Sequence, residues 1–98
     1  MKAYLSKRAA RAAERIDERW REHAVDPGIF AAEFLAAVER LESGTTPGTP
    51  FPTAKRPMLR RLLMPKSRCH LYFEIDNVNE AIHILHIWDG RRERSPKL

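Results

Sequence analysis

Eight residues in the second half of the chain combine cationic charge with acid–base and stacking side chains: Arg60, Arg61, Arg68, His70, Tyr72, Arg91, Arg92 and Arg94. Guanidinium forks bind phosphate bidentately, and Tyr or Trp rings stack on bases. Such a set could hold a polyanion. It could also cleave a phosphodiester without a metal: a base activates the 2′-OH, cations hold the phosphorane oxygens, and an acid protonates the leaving oxygen. His70 and Tyr72 lie two apart, on one face of a strand, and are the candidate acid–base pair. The plainer reading is a solvated histidine, a sheet-surface tyrosine and arginines that meet an acidic partner. Nothing in the spacing forces these groups to converge.

Other chemistries find no support. There is no phosphate-cradling glycine loop, no dinucleotide fingerprint and no nucleophile elbow. His83 and His86 stand three apart on a strand, so they point to opposite faces and cannot share a metal locally. The remaining histidines, His23 and His70, add no ligand spacing, so neither a metal nor a cofactor is expected. The single cysteine, Cys69, sits among alternating apolar residues and reads as a small core residue in a reducing, cytosolic setting. No apolar run approaches the ~18 residues of a membrane helix. The basic, Ala-rich start resembles a transit peptide, but Glu14, Asp17 and Glu18 continue its helical pattern, so it reads as mature structure.

The elements that must position the cationic set follow from periodicity. With 98 residues, 43% of them hydrophobic, the expectation is one domain with one core and a thin stability margin without a partner. Residues 1–50 hold eight Lys/Arg and eight Asp/Glu; residues 51–98 hold ten against five, which is the whole excess of +5. A polyanionic partner is therefore favoured on the second half. Met1–Leu5 reads as a brief edge strand. Ser6 is a good N-cap for a helix to about Ala24, with Ala9, Ala13, Ile16 and Trp20 on one stripe. Asp26-Pro27-Gly28 restarts the chain, with Asp26 as N-cap of a second helix to about Ser43. Phe30, Phe34, Ala37, Val38 and Leu41 form its stripe, and Gly44 closes it. The short link predicts an antiparallel hairpin.

Residues 45–57 carry four prolines and can be neither helix nor central strand. Residues 58–64 read as a strand, 65–68 as a turn, and 69–76 as a strand of strict alternation. Asn77–Glu80 is a turn, since Asn tolerates positive φ. The last strand, 81–88, is apolar on both faces, so it is central or covered by a partner. The order predicts an α+β fold: a short strand, a helical hairpin, then a small antiparallel sheet.

The helical hairpin, the loop TTPGTPFP, then RRLLMPKSRCHLYFEID and IHILHIWDGRR with a terminal PKL, together resemble the ParE/RelE superfamily of type II toxins, nearer its ParE-like branch. The resemblance spans nearly the whole chain. It implies a toxin neutralised by a small ParD-like antitoxin in a hetero-oligomeric complex, with no membrane role. The antitoxin arm would lie across helices and sheet, and Leu85, Ile87 and Trp88 are its expected contacts. ParE-like members are associated with inhibition of DNA gyrase; RelE-like members cleave mRNA on the ribosome. Where such ParE-like relatives usually carry His, this chain has Asp89, whose charge is expected to repel a scissile phosphate. Gyrase inhibition is thus the first expectation, ribosome-dependent mRNA cleavage the second, and a non-toxic basic binding module the third.

Overall fold

The structure, a computed structural model, describes residues 1–23, 25–91, 94 and 96–98; for His23 only the backbone is described. The elements are β1 (Lys2–Leu5), α1 (Lys7–His23), α2 (Ile29–Glu42), β2 (Thr49–Pro50), β3 (Arg60–Met64), β4 (Cys69–Asp76) and β5 (Ala81–Asp89). They build two helices on a five-stranded sheet of order β1-β5-β4-β3-β2. The expected α+β architecture is present, with one difference: the sheet is mixed. β1 pairs in parallel with β5, whereas β5, β4, β3 and β2 run antiparallel. The two helices between β1 and the later strands carry the chain back, which is what a parallel neighbour requires. β2 is a two-residue edge strand inside the proline-rich loop.

Ser6 caps α1 as its type predicts. Its hydroxyl accepts from the Ala9 amide at 3.0 Å and donates to the Leu85 carbonyl at 2.9 Å, tying the helix start to β5. Asp26 does not cap α2. Gly28 stands at that position without a side-chain bond, and the Asp26 carbonyl accepts instead from Ile29 N. Pro27 and Gly28 stand between Asp26 and the first helical residue, Ile29. The α2 end matches the expectation, with Gly44 at φ +75° and Thr45 N donating to the Arg40 carbonyl at 3.0 Å.

One face of the sheet lies under the helices. Leu62 and Met64 of β3, Cys69, Leu71 and Phe73 of β4, and Ile82, Ile84 and Ile87 of β5 pack there against Ala9, Ala12, Ile16, Phe30, Ala37 and Leu41. Phe34 and Val38 are half-buried beside them, and Phe34 stacks on Phe30 at 5.8 Å. Burial pushes the Cys69 thiol pKa up, as for an unreactive core residue.

The expected turn follows β4, and its residue with positive φ is Glu80, at +49°. Asn79 donates from its side-chain and backbone nitrogens to Asp76, at 2.8 and 3.0 Å. Those bonds, with His83 Nε2 at 3.2 Å, hold the Asp76 pKa down to about 2. Among the described residues no helix is long and apolar enough to cross a membrane.

Candidate target-binding surface

Strand alternation decides which cations share a face. Arg61 pairs with Tyr72 and Leu63 with His70, so these four side chains stand on the face turned away from the helices. Across the next ladder Tyr72 pairs with His86 and His70 with Trp88, which extends the same face onto β5. The register of β4 and β5 slips between Tyr72 and Phe73, leaving Leu85 as the extra residue of a bulge.

The loop before β3 folds over this face. Phe51 N donates to the Leu59 carbonyl at 2.9 Å, and Arg56 forms an ion pair with Glu74 at 2.9 Å. Phe51 then meets Tyr72 edge-on at 5.5 Å, and the Arg61 guanidinium lies 4.5 Å above the Phe51 ring. A cation over an aromatic face is held in place while its outer edge stays open to a ligand. Tyr72 is only 1% exposed, so it supports Arg61 and Phe51 rather than presenting a hydroxyl.

His70 is half-buried, 6.4 Å from the Tyr72 ring. Burial first, and the Arg61 charge second, lower its pKa below the ordinary imidazole value. Both disfavour the charged ring. Its Nδ1 is buried, with no hydrogen-bond partner among the described residues. Arg68, at the β3–β4 turn, is exposed and adopts φ +58°. Two distant residues fix that turn. Glu33 of α2 accepts from Lys66 N, Ser67 N and Ser67 Oγ at 2.7, 2.8 and 2.7 Å. Gly90 N donates to the Arg68 carbonyl at 2.7 Å. A Cβ at Gly90 would lie 2.5 Å from that carbonyl and 3.3 Å from His70 Nε2, so only glycine lets the chain pass.

The eight sequence-selected residues do not form one rim. Arg61, His70 and Tyr72 come together, with Arg68 at the adjoining turn. Arg60 is paired to Phe73 on the helix side, and its guanidinium donates to the Pro47 and Gly48 carbonyls, at 2.5 and 3.3 Å. It fastens the proline-rich loop. Arg91 is occupied by Asp89, through Nε at 3.2 Å and a terminal nitrogen at 3.0 Å. Arg94 is exposed beyond that pair, and Arg92 lies outside the described residues.

Asp89 also differs from expectation. It pairs with Cys69 on the helix side, 6% exposed, and Arg19 of α1 reaches it at 3.4 Å. Burial pushes its pKa up, but the hydrogen bonds and charge of Arg91, with the charge of Arg19, outweigh that and hold it down. Its charge is balanced and faces away from Arg61, so it does not repel an anion bound on the open face.

Of the three expected antitoxin contacts, Leu85 and Trp88 are half-buried, while Ile87 is 2% exposed in the core under α1. Ile87 therefore cannot offer its side chain to a partner in this structure. Among the described residues no cluster of His, Cys, Asp and Glu could hold a metal ion.

No family model matches the sequence, and no curated protein matches it. Solved structures do match in shape. The chromosomal ParDE toxin–antitoxin system of P. aeruginosa aligns with a TM-score of 0.70 over 91% of this chain and 95% of that one, at 18% identity. The isolated E. coli RelE toxin aligns with a TM-score of 0.57 over 95% and 87%, at 14% identity. At these identities the likeness is one of fold: two helices on a mixed sheet of the ParE/RelE type.

Proposed function

We propose that the chain is the toxin of a type II toxin–antitoxin pair, arresting bacterial growth by inhibiting DNA gyrase until a ParD-like antitoxin binds it. The observation that carries this reading is the near end-to-end likeness to the ParDE system, at a higher TM-score than the RelE likeness. The open face supports it. Arg61 and Arg68 stand at the surface of a rigid sheet, seated by Phe51, Glu33 and Gly90, as a binding epitope for a large macromolecule requires. The thin core of so short a chain fits a protein that gains stability when a partner binds its folded form.

Messenger RNA cleavage on the ribosome is the second reading, and one observation favours it. His70 shares the open face with Arg61, and burial and that charge both favour its neutral form, as a general base near a phosphate-binding cation requires. Tyr72, the other acid–base candidate, is enclosed by Phe51 and does not help. Purified chain is added to gyrase with supercoiled DNA, and in parallel to translating ribosomes with a defined mRNA. Cleaved DNA with intact mRNA is the expected result. Transcript cleavage alone transfers the reading to the nuclease. Growth arrest with neither effect removes both, and no arrest on induction leaves a binding module.

A further inference from the structure

The covered face of the sheet outruns its helices at one end. Ile75 alternates with Leu71 and Phe73 on that face and pairs with Ile82, yet it is 36% exposed. The gap beside it is a cleft of about 340 Å³ between the sheet, the end of α2 and the proline-rich loop. Leu41, Phe73, Ile75 and Ile82 give the cleft apolar walls. Of the described side chains that line it only Glu42 is charged, and that carboxylate accepts from the Ala3 amide at 2.8 Å.

The turn after β4 borders this cleft through Asn77 and carries Val78, which is 92% exposed. The turn is preformed. Asp76 accepts from both Asn79 nitrogens, His83 Nε2 lies 3.2 Å from the same carboxylate, and Glu80 closes the turn with positive φ. A segment already fixed in this way loses little freedom when it docks. An apolar knob thus stands next to an apolar hole on one patch of surface. A two-fold interface needs such a patch, because each copy offers the same surface and that surface must complement itself. The charges agree. Lys2 pairs with Ala81, the residue after Glu80, and both Lys2 and Glu80 are exposed. With both signs present, two copies can meet here without the like-charge repulsion that the arginines of the open face would bring.

We infer that this end of the molecule is a self-docking surface: two copies meet about a two-fold axis, and Val78 of each enters the cleft of the other. An apolar centre with a polar rim is the usual build of such a contact. One turn and one cleft make a small interface, below about 1,200 Å², so the dimer is weak and exchanges with monomer. Arg68 lies at the other end of the eight-residue β4, about 24 Å away at the rise of a strand. Pairing therefore leaves the Arg68 turns of both copies uncovered, and it stands whether or not the chain arrests growth.

Analytical ultracentrifugation of the full chain, from micromolar to millimolar concentration, tests this. The expected result is a rise from the mass of one chain toward that of two. Val78→Asp should weaken the association at least tenfold. Val25→Asp, the same change at an exposed valine in the link between the helices, should have less than a threefold effect. Both sites are exposed, so both variants should keep the parent melting temperature. In an isotope-filtered NOE experiment on mixed labelled and unlabelled chain, the Val78 methyls should reach Phe73, Ile75 or Ile82 of the other copy. A monomer mass at millimolar concentration overturns the proposal. So do equal effects of the two Asp variants, or a dimer without those contacts between copies. Indole that shifts the Ile75 and Ile82 methyl resonances while the chain stays monomeric would also overturn it, and would reassign the cleft to a small apolar ligand.

Discussion

Arg60 and Arg61 are neighbours in β3 and end on opposite faces of the sheet. Arg60 spends its charge on loop carbonyls on the helix side; Arg61 lies over Phe51 on the open side and keeps an edge for a ligand. The same division runs through the whole molecule. The covered face is apolar, interlocked with both helices, and holds even its one carboxylate, Asp89, in balanced pairs. The open face carries half-buried His70 and Arg61 on a small aromatic platform. Residues on the first face decide whether the chain folds; residues on the second are those proposed to meet a target.

The largest expected effect is on the covered face. Phe30→Ala should cost about 3–5 kcal/mol, because a fully buried ring is removed from under both helices. Urea unfolding measures it, and a loss below about 1 kcal/mol would break the distinction between the faces. Gly90→Ala comes next, at about 1–3 kcal/mol, as its new methyl meets the Arg68 carbonyl. Its toxicity should fall with its stability, because the contact it strains holds Arg68 and His70. Glu33→Ala should cost about 1–3 kcal/mol by leaving the Ser67 donors without their acceptor. Selective broadening of the 66–68 amide resonances, with β5 unchanged, would show that the loss is local.

A smaller effect sharpens the comparison from the open side. The His70 ring should titrate below 6.5 by NMR, its ordinary value. Arg61→Ala should raise that midpoint only part of the way, since burial is the larger cause. A depressed folded-state pKa means that the stability gained from neutral His70 is present above pH 6.5. It is lost as pH falls through the lower folded value. No change in midpoint in Arg61→Ala would mean that the two side chains do not share an electrostatic environment.

Much of the fold was legible because its signals are periodic. Alternation in 69–76 located β4, the helical stripes located α1 and α2, and Ser6 and Gly44 marked two ends correctly. The site was less legible, for two different reasons. The separation of Arg60 from Arg61 was available in the sequence, because adjacent residues on a strand point to opposite faces. The burial of Ile87 was not: strict alternation from Ile82 and Ile84 places it on the open face, and only the bulge at Leu85 turns it into the core. The supports were not available. Glu33 reaches the 65–68 turn from 33 or 34 positions away, and Gly90 passes Arg68 only because of register. The β5 bulge at Leu85, which shifts the register in the middle of an unbroken apolar run, likewise leaves no local mark in residue type.

The central claim is that the open face, through Arg61 and Arg68, is where the chain meets its target. The most direct measurement is growth of bacteria induced for the double variant Arg61→Ala, Arg68→Ala, beside its urea stability. The expected result is loss of growth arrest with stability changed by no more than about 1 kcal/mol, since Arg68 is exposed and the Arg61 contact with the Phe51 ring contributes little. Undiminished arrest by a folded double variant would contradict the account and remove the open face from the mechanism.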